Sequence, residues 1–217
     1  DLDHALETDV VFENAQARER TQILFNFANK VGGIVVGTGD LSELALGWCT
    51  YNADHMASYN VNASVPKTMM AYLVRWYGSH RASDALRPVL DEVLDTPISP
   101  ELIAPKDGAI SQETESIIGP YELHDFFLYH FMRHGAGVRK IFALANVAFA
   151  GQYPPEEVQR WLGVFVSRFF SQQFKRTALP PGPKVGTVSL SPSGDWRMPD
   201  EAAASALLAT VDALLDT

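Results

Sequence analysis

Residues 37–51, GTGDLSELALGWCTY, place two carboxylates where a glycine-containing turn opens into a helical pattern. Asp40 and Glu43 stand three residues apart and are followed by Leu44 and Leu46. This is the spacing of a capping box, in which side chains satisfy the free N–H groups of a helix start. A carboxylate three residues into a helix, as Glu43 is, at the carboxyl end of a parallel strand, could also hold Mg²⁺ against a phosphate chain. Spacing alone favours the helix cap.

Three further features could carry chemistry. His130 and His134 stand four residues apart and could present two imidazoles to a metal, but no third ligand has a telling spacing, which favours solvated or interface histidines. Cys49 has no histidine near it in the sequence and is most simply a packing residue. Lys67 follows Pro66 at a helix start, where the helix dipole disfavours a cation; the sequence is equally consistent with an anion beside Lys67 and with a plain surface lysine.

The elements that must position these groups begin with a helix over residues 12–30, ended by Gly32 and Gly33. Residues 34–36 are β-branched and predict a short buried strand, followed by the glycine turn and a helix. This order of strand, turn and helix start is typical of nucleotide-binding α/β folds. The fold class we expect is therefore α/β.

The rest of the chain is predicted to be mainly helical. Residues 48–66 are loop-like, helices are predicted over 67–77 and 85–94, and the proline-rich residues 96–114 are the best candidate for a mobile segment. Residues 120–133 are too apolar for an exposed helix and should lie between elements or in a subunit interface. Further helices are predicted over 138–149, from 154 to a last turn at Lys175 and Arg176, and on the stripe that ends at Leu215. The second half is therefore mostly helical.

Composition narrows the class of protein. The chain has 217 residues, 47% of them apolar, and a net charge of −9, so it can bury an ordinary core and as a whole should repel nucleic acid and anionic membranes. No apolar run is long enough to span a bilayer. The single cysteine, Cys49, fits a reducing compartment, and we expect a cytoplasmic protein.

Six ordered strings closely resemble bacterial glutamine-dependent NAD⁺ synthetases. They are FENAQARER, GTGDLSELALGWCTYNADHM, NASVPKT, GPYELHDFF, FSQQFKR and GPKVGTVSLSPSGDWRMP. The resemblance implies the C-terminal portion of a Rossmann-like adenine-nucleotide alpha-hydrolase (ATP pyrophosphatase) fold over residues 1–217. Residues 1–50 would belong to the nucleotide-binding sheet, residues 51–115 would lie over the ATP site, and residues 116–217 would form the helical C-terminal part.

The family activity implied by the resemblance is a ligase reaction of NAD biosynthesis. AMP is transferred from ATP to the nicotinate carboxylate of deamido-NAD⁺, and ammonia then displaces AMP to give NAD⁺. Magnesium offsets the charge of the triphosphate. Ammonia comes from glutamine through an upstream glutaminase domain, so the enzyme is a glutamine amidotransferase. A homodimer is the oligomer that the resemblance and the apolar residues 120–133 suggest.

Family motifs also imply site residues, although no catalytic residue is assigned. ATP would contact Thr38, Lys67 and Ser99, and the mobile segment would close over it. Glu43 would meet Mg²⁺ or the deamido-NAD⁺ site. The full set matched to deamido-NAD⁺ is Asn14, Arg18, Glu43, Trp48, Cys49, Thr50, Tyr51 and Lys175.

Two departures from the family pattern leave alternatives open. The chain has no Ser-Gly-Gly-x-Asp-Ser phosphate loop, and Ser193 stands where the family usually has arginine. We therefore expect the printed chain to be the C-terminal part of the enzyme, catalytically incomplete as printed. A non-catalytic fragment or paralogue that keeps the dimer surface and part of the nucleotide pocket is the alternative. A related ATP pyrophosphatase amidating another acid, as in GMP synthesis, is a third possibility that the strings WCTY and SQQFKR argue against.

Overall fold

The computed structural model describes residues 9–96, Ile98 and residues 114–216. Within them the strands are β1 (Val36–Gly37) and β2 (Tyr59–Asn60). The helices are α1 (Val10–Val31), α2 (Leu41–Leu46), α3 (Lys67–His80), α4 (Arg87–Asp95), α5 (Thr114–Ile118), α6 (Tyr121–His134), α7 (Val138–Ala148), α8 (Pro155–Ser171), α9 (Gln173–Thr177) and α10 (Ser205–Asp212). The predicted α/β class with a mostly helical second half is confirmed, and the sheet within the described residues is small and parallel.

The first strand is shorter and more exposed than the sequence predicted. The buried strand expected at residues 34–36 is wrong: β1 is Val36–Gly37, and Ile34 and Val36 are 65% and 54% exposed. In the described part of the chain β1 pairs with β2 alone, with Val36 opposite Tyr59 and Gly37 opposite Asn60. A sheet of two short strands is too small to bury the apolar residues before β1, and these residues remain at least partly exposed.

The loop expected over residues 48–66 contains β2, which the sequence analysis missed. A two-residue strand has too little periodicity to be recognised. β2 is held from the other side by the C-terminal segment of residues 181–185: Asn60 N–H donates to the Pro181 carbonyl at 2.8 Å. Ser64 Oγ donates to the Pro183 carbonyl at 2.8 Å and accepts from Val185 N–H at 2.6 Å. Two stretches far apart in sequence are thus joined beside the sheet.

Helices α3 and α4 pack against each other and leave an apolar face exposed. The predicted helices 67–77 and 85–94 are present as Lys67–His80 and Arg87–Asp95. One stripe of α3 is largely exposed and comprises Met69, Tyr72, Leu73, Trp76 and Tyr77. None of the described helices is long and apolar enough to cross a membrane.

The core lies where α2, α6, α7, α8 and α10 meet. Helix α6 is buried between neighbouring helices, which is one of the two positions predicted for residues 120–133. Aromatic side chains dominate the contact of α6 with α8: Phe127 meets Phe165 edge to face at a ring distance of 5.9 Å, and Phe131 meets Phe169 at 5.3 Å. Such pairs add to the free energy gained by burying their area.

Two boundaries in the C-terminal half were wrong. The helix predicted from residue 154 to a last turn at Lys175 and Arg176 is interrupted at Gln172 and continues as the short α9. The last helix ends at Asp212, so Leu214 and Leu215 lie beyond it. The apolar spacing continues across both breaks, which explains why the sequence pattern did not reveal them. Of the predicted mobile segment, only Thr96, Ile98 and Thr114 lie within the described residues.

A buried histidine near the start of α6 makes stability depend on pH. His124 is 2% exposed, and its Nε2–H donates to the Ile118 carbonyl at 2.6 Å. Burial lowers the pKa of His124 from 6.5 to about 4. Below pH 6.5 the unfolded chain gains a proton that the folded protein takes up only near pH 4, so the folded state loses stability as the pH falls through this interval.

We therefore expect His124 to steepen the loss of stability below pH 6.5. Its contribution to the free energy of unfolding should fall by about 1 kcal/mol per pH unit near pH 5. Urea unfolding at a series of pH values measures this slope in the wild type and in His124→Gln, whose amide can still donate to Ile118. His134→Gln, at an exposed histidine, is the control. Equal slopes for the wild type and His124→Gln would contradict the assignment.

Candidate functional site

A cavity of about 520 Å³ opens between α1, the turn after β1, α2 with the loop that follows it, and the C-terminal end of α8. This volume is typical of small-molecule sites. Six of the predicted site residues line it: Thr38, Glu43, Trp48, Cys49, Thr50 and Lys175. Folding thus brings the signature residues of the glycine turn, of α2 and its loop, and of α9 together.

Glu43 forms the predicted helix cap and also lines the cavity. Its backbone N–H donates to Asp40 Oδ1 at 2.9 Å, and Asp40 N–H donates to Glu43 Oε2 at 3.2 Å, which completes a capping box at the start of α2. Asp40 is fully buried. The helix cap uses only Oε2 of Glu43, so Oε1 could still bind a metal ion. The two interpretations of this motif, as a helix cap and as a Mg²⁺ ligand, are therefore compatible.

The other oxygen of Glu43 is bound by a lysine. Lys67 Nζ lies 2.6 Å from Glu43 Oε1 and 2.6 Å from Asp40 Oδ2. Burial and the negative charge of Asp40 raise the pKa of Glu43, and Lys67 opposes this rise. Burial alone would lower the pKa of Lys67, but Asp40 and Glu43 outweigh it and the pKa is raised. Of the two possibilities left open by the sequence, an anion beside Lys67 is thus the correct one, and these two side chains supply it.

The start of α3 is fixed to α2 and α6 through the partly buried carboxylate of Asp125. Lys67 N–H donates to Ser42 Oγ at 2.8 Å, and Ser42 Oγ donates to Asp125 Oδ1. Thr68 donates to Asp125 Oδ2 from its N–H at 3.1 Å and from its hydroxyl at 2.7 Å. These bonds anchor the backbone around Lys67, while its long side chain retains several rotatable bonds.

Side chains of α8 and α9 bind the carbonyl groups at the end of α2. The last carbonyls of a helix lack intrahelical partners and carry partial negative charge, so cations are favoured there. Arg176 donates to the carbonyls of Leu44 and Ala45 at 3.2 and 2.9 Å. The carbonyls that follow Ala45 are bound in the same way. Arg168 donates to the Leu46 carbonyl at 2.9 Å, and Lys175 donates to the carbonyls of Gly47 and Cys49 at 2.7 and 2.6 Å.

Gly47 makes this close approach possible. It ends α2 at φ +60°, a left-handed conformation that favours glycine. A β-carbon at this position would lie 2.3 Å from Cβ of Gln172, the residue between α8 and α9. Glycine is therefore required both by the backbone conformation and by the packing of α2 against the α8–α9 junction.

Trp48 and Cys49 form the wall next to these cations. The guanidinium carbon of Arg168 lies 5.1 Å from the centre of the Trp48 ring, a cation–π distance. Burial raises the pKa of the Cys49 thiol to about 12. At neutral pH Cys49 is therefore a protonated packing residue and no nucleophile, which agrees with the simplest reading of the sequence.

Tyr51 is not among the residues that line the cavity, and it packs behind His55. Its ring lies 5.2 Å from the His55 ring and 5.4 Å from that of Phe174. His55 lines the cavity and is 3% exposed. Asn52 N–H donates to His55 Nδ1 at 3.0 Å, so the neutral ring carries its hydrogen on Nε2, for which the described residues offer no hydrogen-bond partner.

Helix α1 presents other residues to the cavity than those predicted. Asn14 and Arg18 lie on α1 but are not among the lining residues, which on this helix are Val10, Glu13, Ala17 and Arg20. These four residues recur with helical spacing and share one face of α1. The predicted residues Asn14 and Arg18 each follow a lining residue by one position and therefore lie on the neighbouring face. Contacts of Asn14 and Arg18 with a substrate remain predictions, as does the ATP contact of Lys67, which also stands outside the lining. Ser99 lies outside the described residues, although its neighbour Ile98 lines the cavity.

The lining residues that were not predicted from the sequence include Arg168 and His55. Arg168 precedes Lys175 by seven residues, a spacing that puts both on one side of a continuous helix, and this signal could have been used. His55 offered no such signal, because its position depends on the irregular path of residues 48–58.

The described residues can contribute to a magnesium site without completing one. They contain no cluster of three or more histidine, cysteine or acidic side chains that could hold a metal ion. Mg²⁺ often binds through one or two carboxylates together with substrate phosphates and water. Glu43 fits the role of such a carboxylate because it lines the cavity. Its Oε1 is bound by the side chain of Lys67, and a rotation of the Lys67 side chain would free this oxygen for a metal ion.

Comparisons with known proteins point to one family. The family model described as NAD synthase matches residues 2–158. The glutamine-dependent NAD(+) synthetase of Mycobacterium leprae is 48% identical to this chain in an alignment that covers 90% of it. That of Mycobacterium tuberculosis is 47% identical in an alignment that covers 94% of it. The chain spans 32% and 33%, about a third, of the length of these relatives.

A solved structure supports the fold. The crystal structure of a glutamine-dependent NAD(+) synthetase from Cytophaga hutchinsonii is similar to 95% of this chain with a TM-score of 0.73 at 18% sequence identity, and the match covers 31% of that chain. The described architecture is that of the adenine-nucleotide alpha-hydrolase fold, as the family resemblance implied. Together with the family match over residues 2–158, these findings show that the chain belongs to the NAD synthase family.

Proposed function

We propose that this chain supplies part of the site for ATP-dependent amidation of deamido-NAD⁺ to NAD⁺. The observation that carries the proposal is the convergence of Thr38, Glu43, the loop of residues 48–50 and Lys175 on one cavity. Thr38, Glu43 and residues 48–50 belong to one family signature and Lys175 belongs to another, far along the chain, and the two signatures meet only in the folded chain. A cavity of about 520 Å³ accommodates part of a dinucleotide.

The proposed reaction has two steps. A carboxylate oxygen of the nicotinate group attacks the α-phosphorus of ATP and expels pyrophosphate, which leaves an acyl adenylate. Ammonia then attacks the carbonyl carbon, the C–N bond forms, AMP leaves with the electron pair of the C–O bond, and a proton is released from nitrogen. Adenylation is needed because a free carboxylate is a poor electrophile.

The residues of this chain would bind and orient the reactants. Thr38, Lys67 and Ser99 are proposed for ATP, with Lys67 exchanging a carboxylate partner for a phosphate. Trp48 provides apolar surface for the nicotinate ring, and Lys175 provides a cation for the substrate. Glu43 would hold Mg²⁺, which when bound offsets the negative charge of the triphosphate.

We further propose that ammonia reaches this site from glutamine hydrolysed elsewhere. Cys49 is the single cysteine of the chain, and burial raises the pKa of its thiol to about 12, so it does not provide the thiolate that a glutaminase uses. An upstream glutaminase domain, as the resemblance implies, would fill this role. A homodimer is also proposed, and because α6 is buried in the core, its interface would use another surface.

Turnover with ammonium chloride tests the amidation separately from glutamine hydrolysis. The purified protein, with its intact mass recorded, is incubated with ATP, Mg²⁺ and deamido-NAD⁺, and NAD⁺, AMP and pyrophosphate are measured. Equal amounts of the three products are expected. Xanthosine monophosphate in place of deamido-NAD⁺ tests the alternative acid. Turnover of xanthosine monophosphate alone would overturn the proposal, and substrate binding without turnover at a mass near 23.9 kDa would favour a non-catalytic chain.

A further inference from the structure

Two cations on the cavity wall have no acidic partner in the described part of the chain. Arg168 and Lys175 line the cavity, and neither is within ion-pair distance of a described carboxylate. Arg168 uses its Nε–H for the Leu46 carbonyl. Its two Nη groups have no hydrogen-bond partner among the described residues and remain available to a molecule in the cavity.

The surroundings make an unpaired charge here costly. Burial lowers the pKa of both Arg168 and Lys175, and the charge of Arg168 lowers that of Lys175 further. Of the nearby acids, Glu43 binds Lys67, and Asp54, whose negative charge raises the pKa of Lys175 without forming an ion pair with it, accepts the Thr50 N–H at 2.7 Å. Partly buried cations without a counter-charge are stabilised by an anionic ligand.

The geometry at Trp48 indicates the kind of anion. A guanidinium group is planar and its Nη groups can bind a carboxylate through paired hydrogen bonds. Because Arg168 lies 5.1 Å from the centre of the Trp48 ring, a carboxylate held by Arg168 would be beside the indole. A ligand that offers both a flat ring and a carboxylate would use both side chains at once.

We propose that Arg168 recognises the carboxylate of the aromatic acid and makes the cavity prefer the acid to its amide. The inference rests on the proposed function, in which the substrate carries a nicotinate carboxylate and the product a neutral carboxamide. Loss of the negative charge during the reaction removes the attraction to Arg168. The product is therefore held less tightly than the substrate, and its release is favoured.

The same side chain could instead meet the pyrophosphate group of the dinucleotide, which is also an anion. The two sources are distinguishable, because deamido-NAD⁺ and NAD⁺ share the pyrophosphate and differ in the acid. Binding of each is measured on the purified protein by isothermal titration calorimetry. The variants are Arg168→Gln, Arg168→Lys and the control Arg160→Gln, at an exposed arginine on the same helix that lies 4.3 Å from the Trp161 ring.

The expected result for Arg168→Gln is about tenfold weaker binding of deamido-NAD⁺, from the loss of a charge-assisted bond, and less than about twofold weaker binding of NAD⁺. Arg168→Lys should recover part of the preference for the acid, which shows that charge is recognised and that the fold is intact. Arg160→Gln should change neither affinity.

Three results would overturn the inference. Equal weakening of both dinucleotides would assign Arg168 to the pyrophosphate, and unchanged binding of both would remove it from the site. If Arg168→Lys binds deamido-NAD⁺ as weakly as Arg168→Gln does, Arg168 would have only a structural role through its bond to the Leu46 carbonyl. If the wild type binds neither dinucleotide, the proposed function itself fails, and this result differs from all the others.

Discussion

Replacing Glu43 by glutamine should lower NAD⁺ formation by at least about a hundredfold if this side chain holds Mg²⁺ at the phosphates. The substitution removes one negative charge and keeps the shape. The amide oxygen of glutamine can still accept the Asp40 N–H, so the capping box at the start of α2 should persist. Lys67 retains Asp40 as its partner at 2.6 Å. The loss should therefore appear in activity far more than in stability.

Steady-state rates with saturating ATP, Mg²⁺ and ammonium chloride measure this effect. The matched control is Glu156→Gln, the same chemical change at an exposed acid in the first turn of α8, outside the cavity. It should leave the rate within about twofold, since surface charges of this kind have small effects. A near-wild-type rate for Glu43→Gln would reduce Glu43 to a helix cap and would contradict its role as a metal ligand.

Replacing Arg176 by methionine should lower the free energy of unfolding by about 3–5 kcal/mol, because it leaves buried carbonyls without donors. Arg176 is 1% exposed, and it donates to the carbonyls of Leu44, Ala45 and Phe169 and to the Gln173 side chain. Burial lowers its pKa to about 10, so the guanidinium still carries its charge at neutral pH. Methionine fills the space of the aliphatic stem and supplies no hydrogen bond.

Thermal unfolding should show this loss as a decrease in Tm of about 10 °C. Arg160→Met removes an exposed arginine from α8 and should lower Tm by no more than a few degrees. Arg176→Lys should lie between the two, because a single ammonium group cannot reach all the carbonyls that the guanidinium spans. A Tm for Arg176→Met within about 2 °C of the wild type would mean that solvent or rearranged donors satisfy the end of α2.

Much of the helical framework could be predicted from local patterns. Helix α1 begins after Asp9, whose side chain accepts the Phe12 N–H at 2.9 Å, and it ends at Gly32 in a left-handed conformation. Such caps depend on neighbouring residues and can be read in the sequence. The strand β2 and the break at Gln172 could not be read, since both arise from contacts with distant segments.

The candidate site shows the same division. The capping box of Asp40 and Glu43 follows from a spacing of three residues, and the structure confirms it. The attachment of Lys67 to both carboxylates joins residues that are far apart in sequence. The sequence indicated an unfavourable cation at the start of α3 and could not say whether an anion relieved it.

The sequence by itself determined the family signatures, the helical periodicity and the local caps, because these depend on residue types at fixed short spacings. Only the tertiary structure decided which side chains share the cavity and which charges lack a partner there. Arg168 is the clearest case: in the sequence it is one more charge on an amphipathic helix, and in the folded chain it lies over Trp48 at the end of α2. The reason is physical, since the energy of a charge depends on its neighbours in space and on its exposure to water.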